Sequence, residues 1–200
     1  MVRKTYSAGA VKHSFWFLEF RKVVGLLDGG KRLEEIKKLN REANLFGAPT
    51  KNRAEQIFNT VSARIAGLPP DFYSLFLGSD VATQKLFNLA AVMVNDTLFF
   101  DFVYEVIREK MILGSDEYSD RDIRIFFRDK QLQDERVAGW TDPTLKRLGG
   151  SYKTMLFEAG MTDNGKAGRK ILRPILDPVF AHWLEDNGME QIARALSGVR

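Results

Sequence analysis

The sequence contains no cysteine, which removes disulfides, thiol nucleophiles and zinc-cysteine sites from consideration. Histidine is nearly as scarce: His13 and His182 are the two available for metal or acid-base work. Neither stands near a nucleophile or a second ligand, so each reads as a packing or capping side chain. There is no Gly-x-Ser-x-Gly elbow, no glycine loop ending in Gly-Lys-Ser/Thr, and no His-Glu-x-x-His pair. No run approaches the roughly eighteen apolar residues that would span a bilayer. The opening "MVRKTYSAGAVKH" also lacks the apolar stretch of a secretory signal. These absences argue against an enzyme, against a bound cofactor or metal and against a membrane partner, and they lead to the expectation of a cytoplasmic chain.

What is present is 200 residues, 44% of them hydrophobic and 28% charged, enough chain for a sizeable core. The net charge of +4 is unevenly spread. Residues 1–70 hold 13 bases and 6 acids, residues 71–140 hold 8 and 13, and residues 141–200 hold 9 and 7. Two basic ends flank an acidic middle, as expected where the ends form a surface for a polyanion and the middle is scaffold; solvated faces varying by chance would give the same count.

Apolar residues recur with helical period along most of the chain, punctuated by "DGG", "GAPT", "GLPPD", two copies of "LGSD" and "TDP". The spacing predicts a first helix over 10–27, apolar around much of its circumference. A short amphipathic helix follows in "KRLEEIKKLNREA", with Leu33, Ile36 and Leu39 inward. The third is capped by Thr50 and carries Ala54, Ile57, Phe58, Val61 and Ile65 on one face. Short helix, turn and second helix is the order of a helix-turn-helix. On the third helix's other face stand Asn52, Gln56 and Asn59, flanked by Arg53 and Thr60, side-chain types that read adenine, guanine or phosphate. A solvated polar face would have the same composition.

The middle, 71–113, is the most apolar part. Within it Asp101, Glu105 and Glu109 recur every four residues, a spacing that could gather a divalent cation. With Arg108 and Lys110 interleaved, a salt-bridged face on a core helix explains them better. The pattern restarts after Ser119, a plausible cap, with Ile123, Phe126 and Phe127 inward. "DERVAGW" follows as a short helix. A further helix has Thr141 as cap, Pro143 in its first turn and a stripe of Leu145, Leu148, Tyr152, Met155, Leu156 and Ala159. Lys146, Arg147, Gly150, Lys153 and Thr154 project away from that stripe. Gly149-Gly150 would mark close packing, close approach of a phosphate, or a break between two helices.

"MTDNGKAGRKILRP" at 161–174 does not read as helix. Asn164-Gly165 is hairpin turn chemistry, 170–175 the expected returning strand, and Pro174 blunts it. Three helices followed by a two-stranded hairpin is the order of a winged helix, with Lys166, Arg169, Lys170 and Arg173 on the wing beside Lys146, Arg147 and Lys153 of the recognition helix. Winged helices also serve as protein-protein modules. One or two short helices close the chain, with Phe180, Trp183 and Leu184 covering the domain.

The expectation is therefore a mainly α fold, a helical bundle with helix-turn-helix elements and a C-terminal winged helix. Residues 1–70 would form the first helix-turn-helix-like unit, 71–117 a hydrophobic scaffold, and 118–200 the winged helix with its terminal helices. The candidate DNA-binding residues are Asn52, Arg53, Gln56, Asn59, Lys146, Arg147, Lys153, Lys166, Arg169, Lys170 and Arg173.

The stretches "YSAG", "FWFLEFRKV", "NLFGAPTKNRAEQIFN", "LFFDFVYEVIREK", "DIRIFFRDK", "VAGWTDPTLKRLGGSYKTMLFEAG" and "ILRPILDP" occur in an order that resembles the BrxA family. That family comprises small accessory proteins of BREX bacteriophage-exclusion systems, and the likeness runs over nearly the whole chain. None of these stretches is a catalytic signature. The resemblance implies a helical cytoplasmic protein with helix-turn-helix or winged-helix elements that binds double-stranded DNA and works with the other BREX proteins. The family's older NusB-like label would instead imply RNA. A module that docks acidic partners within the same complex is the third reading of the basic ends.

Overall fold

The computed structural model describes residues 3–166 and 168–199. Within the 161–174 stretch, Ala167 lies outside the described residues. The chain is mainly helical, with one two-stranded sheet among the described residues.

The first helix, α1, spans Phe17–Asp28, not 10–27. A 3-10 turn at Gly9–Lys12 is followed by extended backbone, and Trp16 sits in the left-handed region at φ 50°. The reason is tertiary. The buried Arg64 guanidinium donates to the carbonyls of Phe15 (2.6 Å) and Ser14 (2.9 Å), and Asn88 Nδ2 donates to that of Phe15 at 2.9 Å. Carbonyls drawn off in this way cannot join a helical ladder, so the helix starts after them.

Next come α2 (Leu33–Ala43) and α3 (Lys51–Ala66). Thr50 caps α3 by accepting from the Arg53 amide at 3.1 Å, and the buried Asn40 of α2 donates to the Ala54 carbonyl at 3.0 Å, fixing the two helices against each other. Then follow α4 (Phe72–Gly78) and α5 (Val81–Asn95). α6 (Thr97–Phe102), one π-helical stretch at Val103–Ile107 and α7 (Arg108–Ile112) run on without a break. No single helix among the described residues is long and apolar enough to cross a membrane.

Strand β1 (Glu117–Ser119) leads into α8 (Asp120–Gln133), α9 (Glu135–Ala138) and α10 (Asp142–Glu158). At the start of α8 the Ser119 amide and hydroxyl both donate to Asp122 Oδ2, at 2.7 and 2.9 Å. Thr141 occupies the cap position of α10, but its hydroxyl meets that of Thr144 at 3.1 Å instead of a backbone amide. α10 runs unbroken through Gly149-Gly150. A Cβ at Gly149 would stand 2.9 Å from Ile123 Cγ2, whereas one at Gly150 would meet nothing within 4 Å. Gly149 is thus a close-packing glycine at the α8 contact.

Strand β2 (Gly168–Lys170) pairs antiparallel with β1, Glu117 opposite Lys170 and Ser119 opposite Gly168. The hairpin is narrower than expected. Thr162 bridges Ile171, and Asp163 N donates to Lys170 O at 3.0 Å. The returning strand stops there, and 172–177 carry no regular structure. Its first part is instead held from the other side, where Ile171 N donates to Asp116 O at 2.6 Å. The chain closes with α11 (Pro178–Asp186) and α12 (Glu190–Ser197).

The buried apolar side chains form one continuous cluster. Phe20, Phe72, Phe76, Phe87, Phe180 and Trp183 pack ring to ring at one end. Phe99, Phe102, Phe126, Phe127, Tyr118 and Tyr152 do so at the other. Of the acids at 101, 105 and 109, the first two share Lys130 and the third pairs with Arg108. Asp101, 2% exposed, takes Arg3 at 2.6 Å and the Tyr6 hydroxyl at 2.6 Å. The buried Lys130 of α8 donates to Glu105 at 2.6 Å and lies 3.5 Å from Asp101, while Glu109 pairs with Arg108 at 2.5 Å. These carboxylates tie the N-terminal arm and α8 to α6; the salt-bridged face is made mostly across elements.

Candidate nucleic-acid interface

The sequence-predicted residues fall into four sets. Arg53 and Gln56, in the first turns of α3, meet Arg147, Gly150 and Thr154 of α10 across a cleft of about 600 Å³. Its remaining walls are Val11, Lys12, His13, Ser14 and Phe15, together with Ser151 and Met155 of α10. No acidic residue lines it. Asn52 and Asn59 stand exposed on α3, and Lys146 is exposed beside Arg147, outside the cleft lining. On the hairpin, Lys166, Lys170 and Arg173 are exposed. Among the described residues, none of Lys146, Arg147, Lys166, Lys170 and Arg173 has a carboxylate within ion-pair distance.

Two candidates are otherwise engaged. Lys153 donates to Asp120 at 2.7 Å, which joins α10 to the start of α8. Arg169 lies back over its own turn, donating to Asp163 O at 3.3 Å and Asn164 Oδ1 at 3.2 Å. The turn is further fixed by Asp163 Oδ1, which accepts from the amides of Gly165 (3.1 Å) and Lys170 (2.8 Å). Those two hydrogen bonds hold the Asp163 carboxyl below its ordinary range. A side chain at Gly165 would collide with the Gly168 carbonyl, so glycine is required there by close backbone approach.

Arg53 is held in place within the cleft. Its Nη1 donates to Gln56 Oε1 at 2.7 Å and to Lys12 O at 3.5 Å, and the guanidinium stacks 4.9 Å from the centroid of Trp16. Gln56 Nε2 also donates to Lys12 O, at 3.4 Å. Behind Trp16, Arg64 is 3% exposed, and burial pulls its pKa down to about 10. His13 is half-buried, its ring 6.1 Å from that of Trp16. Burial first, and then the charges of Arg64, Arg53 and Lys12, lower its pKa from the ordinary 6.5. Every charge acting on His13 in that set is positive.

Lys12, His13 and Ser151 went unseen as site residues. The first two fall inside the stretch whose spacing predicts the first helix, and His13 stood out only as a second basic side chain beside Lys12. Ser151 lies one position beyond Gly150, on the same face of α10 as Arg147 and Thr154, so the helical spacing held its signal.

Three comparisons complete the description. The BrxA family model matches residues 4–188. A "BREX protein BrxA" of Bacillus cereus (strain H3081.97) is 37% identical over 175 residues, 87% of each chain. The crystal structure of an uncharacterized protein from Magnetospirillum magneticum superposes with a TM-score of 0.80, covering 98% of this chain and all of that one at 18% identity; the two share a fold.

Proposed function

We propose, from the premise that the chain belongs to the BrxA family, that it is a non-enzymatic accessory protein of a bacteriophage-exclusion system that binds double-stranded DNA through its phosphates. It does so in the cytoplasm, beside the other proteins of that system. The observation that carries the reading is the meeting of Arg53 and Gln56 of α3 with Arg147 of α10, from opposite ends of the sequence, across a cleft without an acid. Cations gathered on one surface and left without carboxylate partners are what a polyphosphate backbone neutralises, with release of its counterions.

The order of elements supports a winged-helix reading of the C-terminal part. β1, α8, α9, α10, the Asn164-Gly165 turn and β2 follow in the sequence of that motif, with α10 as recognition helix and the turn as wing. In this reading α2 and α3 make the earlier helix-turn-helix, whose exposed Asn52 and Asn59 extend the surface. Arg147, Lys146, Lys166, Lys170 and Arg173 supply phosphate contacts. Arg169 holds the wing's shape, and Lys153 fixes α10 to α8.

The test is fluorescence anisotropy of a mixed-sequence duplex over a range of salt, for the wild type, R53E/R147E and K170E/R173E. Each lost phosphate contact flattens the log-log salt slope by about 0.9, so each double variant should bind more weakly with a slope shallower by about 2. Unchanged affinity in both would sink the reading. Preferential competition by structured RNA of equal length would replace DNA with RNA. Failure of the wild type to bind either polymer, with retention of other system proteins, would leave an interaction module.

A further inference from the structure

We propose that the cleft between α3, residues 11–15 and α10 is a pocket for a single phosphate group, in which Arg53, Arg147 and Lys12 are the fixed cations and His13 joins them by taking up a proton as the ligand enters. The inference rests on the reading that this surface faces a nucleic-acid phosphate, but it names a site and a coupling that duplex binding alone does not require.

The walls are specific to an anion. Three permanent cations and one titratable ring line the cleft, the hydroxyls of Ser151 and Thr154 stand among them, and no carboxylate competes. At about 600 Å³ the cavity falls in the range of small-ligand sites. Arg53 is already ordered by Gln56, the Lys12 carbonyl and the Trp16 ring, so little side-chain freedom remains to be lost when the ligand arrives. Gly150 leaves open space at that wall: a Cβ there meets nothing.

His13 is the responsive member. The charged groups facing it are Lys12 on its own segment and Arg53 and Arg64 on α3. Arg147 of α10 lines the same cleft. All are positive, so in the empty site they disfavour the imidazolium. A phosphate placed among these cations reverses the local field and favours the imidazolium, which then donates to it. Binding therefore takes up a proton. Affinity rises as pH falls from the bound-state pKa to the free-state pKa and levels off outside that window. The gain is about tenfold for each unit by which the ligand raises the pKa.

The experiment follows the imidazole Cε1 proton by NMR from pH 5 to 8. With two histidines in the chain, H13Q assigns the signals and the exposed His182 is the internal reference. The probes are inorganic pyrophosphate and a short duplex with and without a 5′ phosphate. A rise of about one unit in the His13 pKa with pyrophosphate, His182 unmoved, supports the pocket. So does duplex affinity that climbs about fivefold from pH 7.5 to 5.5 in the wild type and less in H13Q. Dependence on the 5′ phosphate would assign a strand end, equal response of both duplexes a backbone phosphate. Response to pyrophosphate without duplex binding would assign a free nucleotide and refute the duplex reading instead. Full duplex binding with a His13 signal indifferent to every probe would overturn the pocket while leaving duplex binding intact. H182Q, at the exposed position, gives the same assignment, so a destabilised H13Q does not spoil the test.

Discussion

Gly149 and Gly150 are neighbours in the middle of one helix, share an intrinsic helix cost and differ only in what surrounds them, which makes their alanine variants an internally controlled pair. Replacing a helical glycine by alanine stabilises by about 1 kcal/mol through backbone entropy. At Gly150 nothing opposes that gain, since the added methyl meets no atom within 4 Å. G150A should therefore be more stable by about 1 kcal/mol, or about 2–4 °C in Tm for a chain of this size. At Gly149 the methyl would lie 2.9 Å from Ile123 Cγ2 and 3.7 Å from the Phe127 ring. The Ile123 methyl belongs to a buried, β-branched side chain that has little freedom to turn away. Overpacking of this kind costs about 1–3 kcal/mol, so G149A should lose up to about 2 kcal/mol after the helical gain is credited. Urea unfolding with matched m-values measures both variants. If G149A proves as stable as G150A, the α8–α10 contact is not as close as described. G150A also projects a methyl into the cleft, so a protein that is more stable yet binds phosphate less well would separate the cleft's two properties.

The remaining predictions concern buried charge. Burial pushes the Asp96 carboxyl up from 3.8 to about 6, so its neutral form is favoured in the folded state. That contribution to stability is full below pH 3.8 and is lost as pH rises through about 6. Asn at this position keeps the cap acceptor now used by the Phe99 amide at 3.0 Å. Asp96 keeps some contact with water, and Arg64 loses the attraction of its charge, so D96N should gain about 1–2 kcal/mol at pH 7.5 and nothing at pH 3.5. An equal effect at both pH values would refute this. K130M removes the cation between Asp101 and Glu105 and should cost about 3–5 kcal/mol. In a double-mutant cycle with D101N the two losses should fall short of additivity by at least about 1 kcal/mol, and strict additivity would show that the network is not coupled.

The parts of the fold that were legible are those whose information is local. α2, α3, α8 and α10 announce themselves by a 3.6-residue apolar period, and α3 by a cap residue, Thr50, that accepts from the Arg53 amide. Residues 13–16 were misread because Phe15 and Trp16 continue the apolar pattern of α1. What keeps them out of the helix is Arg64 and Asn88, some fifty and seventy residues away, capturing the carbonyls of Ser14 and Phe15. The hairpin's extent was misjudged for a similar reason: its strand pairs with "EYS" at 117–119, a segment too short to declare itself. In the candidate site, Arg53, Gln56 and Arg147 could be named from helical spacing alone. That they share a cleft, and that Lys12 and His13 complete it, is a property of how the irregular segment is held.

The three-residue pairing of β1 with β2 joins positions 119 and 168 and so ties the ends of everything between them into a ring. α8, α9 and α10 are threaded on that ring, and its closure depends on a few backbone bonds at an otherwise unpaired sheet. Whatever pries at the turn, whether a protease, a mechanical load or a strand added at the open edge, also loosens the tether of the helix that carries Arg147. Cleavage of the turn can thus serve as a gauge of how firmly that helix is seated.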